Sequence, residues 1–83
     1  MENLITEIKK NSTEVYRIYE KEYEGYKFID VRIYYMDKNS NEYKPTKKGI
    51  SIMPNNVPDI IEGILKAMES MGFSEEKAWH CHL

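Results

Sequence analysis

Lys27-Phe28-Ile29-Asp30-Val31-Arg32-Ile33-Tyr34-Tyr35-Met36 is the stretch that decides the fold. Ile29, Val31, Ile33 and Tyr35 alternate with Phe28, Asp30, Arg32 and Tyr34, and a period of two is the step at which an extended chain changes face. The reading is a β-strand with Ile29, Val31 and Ile33 toward the core. Upstream, Val15 to Glu22 has the β-branched and aromatic content of a second strand, with Arg17, Tyr19 and Lys21 on one side and Tyr16 and Ile18 on the other. Between the two lies Tyr23-Glu24-Gly25-Tyr26, a turn with glycine where φ can become positive, so the strands are expected to pair as a hairpin.

Downstream, Asp37-Lys38-Asn39-Ser40-Asn41 is a turn by composition, and Glu42 to Ile52 returns as a further extended stretch, either continuous or broken at Pro45-Thr46. Residues 1–14 mix Leu4, Ile5 and Ile8 with Lys9-Lys10-Asn11-Ser12-Thr13, which suits an extra strand or an arm equally. After Pro54 the period changes. Val57, Ile60, Ile61, Ile64, Leu65, Met68 and Met71 recur at three- and four-residue steps, the pattern of an amphipathic helix. Asn55 or Asn56 is placed to cap its start, Pro58 fits its first turn and Gly72 its end. The fold class is therefore α+β: an antiparallel meander of three or four strands followed by one C-terminal helix. The expected organisation is an arm or extra strand at 1–14, a domain at 15–72 and a tail at 73–83.

A chain of 83 residues is one domain, and a domain this small buries only about 60% of its unfolded surface, so a partner subunit would help it. Cys81 is the single cysteine, which excludes an intrachain disulfide and suits a reducing compartment. The acidic start Met1-Glu2-Asn3-Leu4-Ile5-Thr6-Glu7 is unlike a signal peptide, and no apolar run approaches the ~20 residues of a membrane span. A cytoplasmic protein is expected, with no membrane partner, associated with the nucleoid if the source is microbial.

The formal net charge of −2 disguises an uneven distribution. Residues 1–25 hold four Lys/Arg against six Asp/Glu, residues 26–52 six against three, and residues 53–83 two against five. Only the middle is basic, and polyanions respond to local potential rather than to the molecular sum. The basic centre includes Lys44-Pro45-Thr46-Lys47-Lys48-Gly49-Ile50-Ser51-Ile52. Pro45 lacks an N–H and excludes a central strand, Gly49 would let backbone approach a ligand, and Lys47 and Lys48 supply charge beside it. Tyr26 to Met36 adds aromatics and Arg32. Cations interleaved with flat rings suit single-stranded nucleic acid, whose phosphates and base faces can be held together.

In this order of elements the residues resemble the positive cofactor 4 type of transcriptional coactivator, a single-stranded DNA-binding domain. The likeness spans about residues 15–70 and is carried by Tyr23-Glu24-Gly25-Tyr26-Lys27-Phe28-Ile29-Asp30-Val31-Arg32-Ile33-Tyr34-Tyr35-Met36-Asp37 and by the Lys44 to Ile52 edge. The resemblance implies a curved four-stranded antiparallel sheet and one helix, dimerised so that two sheet faces bind two single strands. It implies a nucleic-acid face that includes Tyr23, Arg32, Tyr35, Lys47, Lys48 and Gly49, to which Lys44 and Tyr26 are added from the basic and aromatic clusters. Alternation sets Tyr35 opposite Arg32, so a bulge or strand end is expected to bring it round. Strong binders of the family carry basic residues beside the turn glycine, where this chain has Glu24 and Tyr26, and tryptophan at the position of Tyr35. The acidic, serine-rich regulatory region of eukaryotic members is also missing, which points to a stand-alone microbial version. The family pairs through its helix, which makes Val57, Ile60, Ile61, Ile64, Leu65 and Met68 the expected dimer stripe.

Other readings are weaker. Exposed lysine pairs are commonly solvated, seven tyrosines in a small sheet are mostly packing residues, and Arg32 could pair with Asp30 two residues away; the preferred role of Asp30 is to orient Arg32 toward a phosphate or base. His80-Cys81-His82 is too contiguous to converge on one ion, so neither metal nor cofactor is expected. There is no phosphate loop, nucleophile motif or convincing carboxylate pair, and the expectation is not an enzyme. The sequence points to a homodimer that binds single-stranded DNA with little sequence preference in transcription, replication or repair. The main alternative is a protein-interaction module of the transcription or replication machinery, and single-stranded RNA is a further candidate ligand.

Overall fold

The structure is a computed structural model that describes residues 2–73. Strands β1 (Glu2–Lys9), β2 (Glu14–Tyr23), β3 (Tyr26–Asp37) and β4 (Glu42–Ile52) form one open antiparallel sheet in sequence order, followed by a 3₁₀ turn at Pro54–Asn56 and helix α1 (Val57–Ser70). Residues 2–9 thus supply the extra strand rather than an arm. Asn11 closes the β1–β2 connection, its side-chain oxygen accepting from the N–H groups of Thr13 and Glu14 at 3.0 and 2.8 Å.

The β2–β3 hairpin is a two-residue loop in which Tyr23 pairs with Tyr26, while Glu24 and Gly25 have φ of 50° and 82°. Positive φ at both central residues is the geometry whose twist matches that of the flanking strands. The tight loop fixes the whole β2–β3 register without a bulge, from Tyr23↔Tyr26 to Glu14↔Tyr35. β4 is a single strand, not two, and lies at the edge where Pro45 is tolerated. Its irregularity takes the form of a bulge: Gly49 faces Arg32 and Pro45 faces Tyr34, so Thr46, Lys47 and Lys48 together span Ile33.

The register sorts the side chains onto two faces. One carries Arg17, Tyr19 and Lys21 across from Arg32, Asp30 and Phe28; the other carries Tyr16, Ile18, Ile29, Val31, Ile33, Ile50 and Ile52. The second face turns toward the helix, and Ile18, Ile29, Val31 and Ile52 line an apolar cleft with Val57, Ile60, Ile61 and Ile64. Yet Ile29, Val31 and Ile33, expected as core, are only half-buried. The most enclosed side chains are Val15, Tyr34, Ile52 and Asp30, because α1 makes few close contacts with the sheet and buries none of its own residues. Ile61 and Ile64 are 51% and 58% exposed, a large apolar liability for a helix in a single chain.

Asn56 precedes the helix but its side chain makes no capping bond, the 3₁₀ turn having delivered it in helical conformation. The C-terminus closes as expected at Gly72, with Phe73 N–H donating to the Met68 carbonyl and Gly72 N–H to that of Glu69. No helix among the described residues is long and apolar enough to cross a membrane. The His80-Cys81-His82 tail lies outside the described residues.

Candidate nucleic-acid interface

Arg32 is the anchor of the β3–β4 seam, and its guanidinium is engaged within the protein. Its Nε and Nη2 donate to the two carboxylate oxygens of Asp30 at 3.1 and 3.0 Å, and its Nη1 donates to the Thr46 carbonyl at 2.9 Å. Asp30 is 2% exposed and also accepts from Ser51 Oγ at 3.2 Å, with Lys21 Nζ at 3.7 Å. Burial pushes its carboxyl up, but the Arg32 hydrogen bonds, the Lys21 and Arg32 charges and Ser51 outweigh it and hold the group below the usual aspartate value. Asp30 is therefore an ionised hub inside the sheet.

The same face carries a second cluster that the sequence reading passed over. Arg17 donates to Glu7 Oε1 at 2.8 Å and to the Tyr19 hydroxyl at 3.1 Å, and its guanidinium lies 4.9 Å from the Tyr34 ring centre and 5.2 Å from that of Tyr43. Burial pushes the Tyr34 phenol up to about 12, with Tyr19 adding to the shift. Every group here has an internal partner, so this cluster holds β1 to β3 rather than offering a cation to a ligand.

The available cations lie elsewhere. Lys47 and Lys48 are exposed on the β4 bulge and form no ion pair among the described residues. Lys48 lines a shallow groove with Tyr16, Val31, Ile33 and Ile50, and is near enough to Glu14 to help lower that carboxyl, after the larger effects of Asn11 and Lys10. Tyr35, 41% exposed, pairs with Lys44 at the same end of the sheet. Lys44 itself is held by Asp37 at 2.9 Å, a contact that raises its pKa.

The structure thus brings Tyr35, Lys44, Lys47 and Lys48 together at one end of the β3–β4 pair. Tyr16 joins them, a residue missed by sequence although the two-residue hairpin loop places it opposite Ile33. Tyr23 and Tyr26 are exposed at the hairpin tip, about 30 Å away along β3 at ~3.4 Å per residue. The bulge falls in β4 and β3 runs on without one, so Tyr35 is not brought round to the face of Arg32. Gly49 is exposed and lines the same groove as Lys48, while the room left by its missing Cβ is taken from within the protein: a Cβ there would lie 2.7 Å from the Val31 carbonyl oxygen and 2.8 Å from Arg32 Cβ.

An open four-stranded meander followed by one helix is the architecture this chain shares with DNA-binding proteins of the transcription-coactivator type. The family model for transcriptional coactivator p15 (PC4) matches residues 10–63, well over half of the chain, and the chain belongs to that family. A PC4 homologue from Burkholderia pseudomallei is 33% identical, with a TM-score of 0.74 over 81% of this chain and 97% of that one. In a second crystal form it is 34% identical, with a TM-score of 0.73 over 78% and 86%. The bacteriophage T5 homologue of eukaryotic PC4, implicated in recombination-dependent DNA replication, shares the fold at 18% identity, with a TM-score of 0.74 over 98% and 92%. No curated protein matches the sequence at a significant level.

Proposed function

We propose that this chain is a single-stranded DNA-binding protein of low sequence preference, acting as a homodimer beside DNA in the cytoplasm of a microbe or in a cell infected by a phage. The observation that carries the reading is the pair Lys47 and Lys48, exposed on the β4 bulge without a carboxylate partner among the described residues, with Tyr16 lining the same groove as Lys48 and the exposed Tyr35 on the neighbouring strand. Free cations give sequence-independent attachment to phosphates, and rings that stand clear of the core can stack on any base. Tyr23 and Tyr26, exposed at the hairpin tip on the opposite, Arg32-bearing face of the sheet, form a separate stacking surface rather than a continuation of Tyr16 and Tyr35. Arg32 is not assigned a phosphate, since three of its five donors are engaged with Asp30 and Thr46. The half-exposed apolar stripe of α1, facing an incompletely filled cleft, supports pairing through Val57, Ile60, Ile61, Ile64, Leu65 and Met68. Membership of the PC4 family and the replication role of the phage homologue favour work in transcription, replication or recombination.

Salt titration of binding to fluorescent oligo-dT tests the reading. Binding at low salt that weakens linearly on a log–log plot, and a Lys47→Gln/Lys48→Gln variant with a slope shallower by about 1.4, are the expected results, at ~0.7 per single-strand phosphate contact. Tyr35→Ala should cost on the order of 1–3 kcal/mol if its ring holds a base. Absence of binding at low salt would favour a protein-interaction module, and tighter binding to oligo-U would shift the assignment to RNA.

A further inference from the structure

The bulge that presents Lys47 and Lys48 is tied across by the hydroxyl of Thr46. Because Thr46, Lys47 and Lys48 together span Ile33, backbone groups on both strands lose their places in the ladder, and such groups need other partners. Thr46 Oγ1 supplies two of them. It donates to the Ile33 carbonyl at 2.7 Å and accepts from the Lys48 N–H at 3.1 Å. Behind it, the Thr46 carbonyl accepts from Arg32 Nη1 at 2.9 Å, and Asp30 grips the other side of the same guanidinium. A continuous chain of bonds therefore runs from the buried carboxylate of Asp30 through Arg32 and Thr46 to the backbone of Lys48.

We infer that Thr46 is a positioning residue for nucleic-acid binding, with Arg32 and Asp30 as its brace: it sets the bulge so that Lys47 and Lys48 reach neighbouring phosphates together. The inference rests on the proposed single-strand binding and deepens it. It assigns a role in recognition to an uncharged side chain, and an indirect one to the arginine that the strand pattern nominates as a contact.

The test uses the full chain, oligo-dT and three substitutions that leave both lysines in place. Thr46→Val keeps the shape of the side chain and every charge but removes both hydroxyl bonds. Its salt slope should fall toward that of Lys47→Gln/Lys48→Gln, by up to about 1.4, while Thr46→Ser retains the wild-type slope. A threonine that served stability alone would lower the melting temperature and leave the slope unmoved. Asp30→Asn is the second arm, and there the sign decides. Loss of a carboxylate should by charge alone strengthen binding to a polyanion, whereas loss of the brace weakens it. A wild-type slope in Thr46→Val, or tighter binding by Asp30→Asn, overturns the inference while the lysine variant still upholds single-strand binding. A wild-type chain that ignores oligo-dT removes both.

Discussion

Gly49 lies directly across from Arg32, so close that the arginine stem occupies the space where a Cβ would stand, 2.8 Å from Arg32 Cβ and Cγ. The contact permits the guanidinium to lie along the seam and reach Asp30 and Thr46. Gly49→Ala should therefore destabilise the protein by about 1–3 kcal/mol through overpacking against backbone and a braced side chain. Urea denaturation checks it, and a variant as stable as wild type would show that Arg32 can move aside freely.

Asp30 makes acid stability a property of the same seam. Its folded pKa lies below the ordinary value of 3.8, so its contribution is fully present above that value and is lost as pH falls through the folded pKa. Thermal stability should decline below about pH 4, and Asp30→Asn should flatten that decline while costing about 1.5–3 kcal/mol at neutral pH for lost hydrogen bonds to charged partners. Equal acid sensitivity in the two proteins would move the effect to other carboxylates.

The hairpin and the helix were legible because each rests on local rules: period-two alternation in β3, a glycine in the right place at the turn, and a three-and-four spacing from Val57 to Met71. What could not be read was where the polar atoms go. Arg32 and Asp30 are two apart on one strand face in any register, but only the β4 bulge shows that a third donor of the guanidinium is answered by Thr46 rather than by solvent. The same bulge carries Lys47 and Lys48, which have no ion-pair partner among the described residues, whereas Lys44, in the regular ladder beyond it, is tied to Asp37. Tyr35 stays on the face set by alternation because the irregularity occurred in the partner strand. Bulge placement depends on how two strands accommodate Pro45 and Gly49 together, which no period in either strand encodes.

Glu24 occupies a left-handed position at φ 50°, where a residue with a Cβ is strained and asparagine or glycine is preferred. Glu24→Asn should stabilise the hairpin by on the order of 0.5–1 kcal/mol, read as a shift in the denaturation midpoint. Glu24→Lys keeps the strain and reverses the charge. Were the exposed Tyr23–Tyr26 tip part of the interface, it would steepen the oligo-dT salt slope by about 0.7. An unchanged slope would confine the interface to the Lys47–Lys48 end.

Ile61 and Ile64 give opposite outcomes according to whether α1 faces water or a second copy of the chain. Both are more than half exposed in the single chain, and a polar substitution at such a site normally shifts stability by less than about 0.5 kcal/mol. In a homodimer paired through the helix the same side chains are buried against the partner, and a charge placed there is desolvated without a counter-ion. Ile61→Lys/Ile64→Lys should then turn a particle of twice the chain mass in light scattering into a monomer, and lower its melting temperature. Because the wild-type cleft between α1 and the sheet is lined by Ile18, Ile29, Val31 and Ile52, release of the partner should also expose apolar surface to a hydrophobic dye. A wild-type chain that already runs as a monomer at micromolar concentration, with the double variant equally stable, would remove the helix from any self-association.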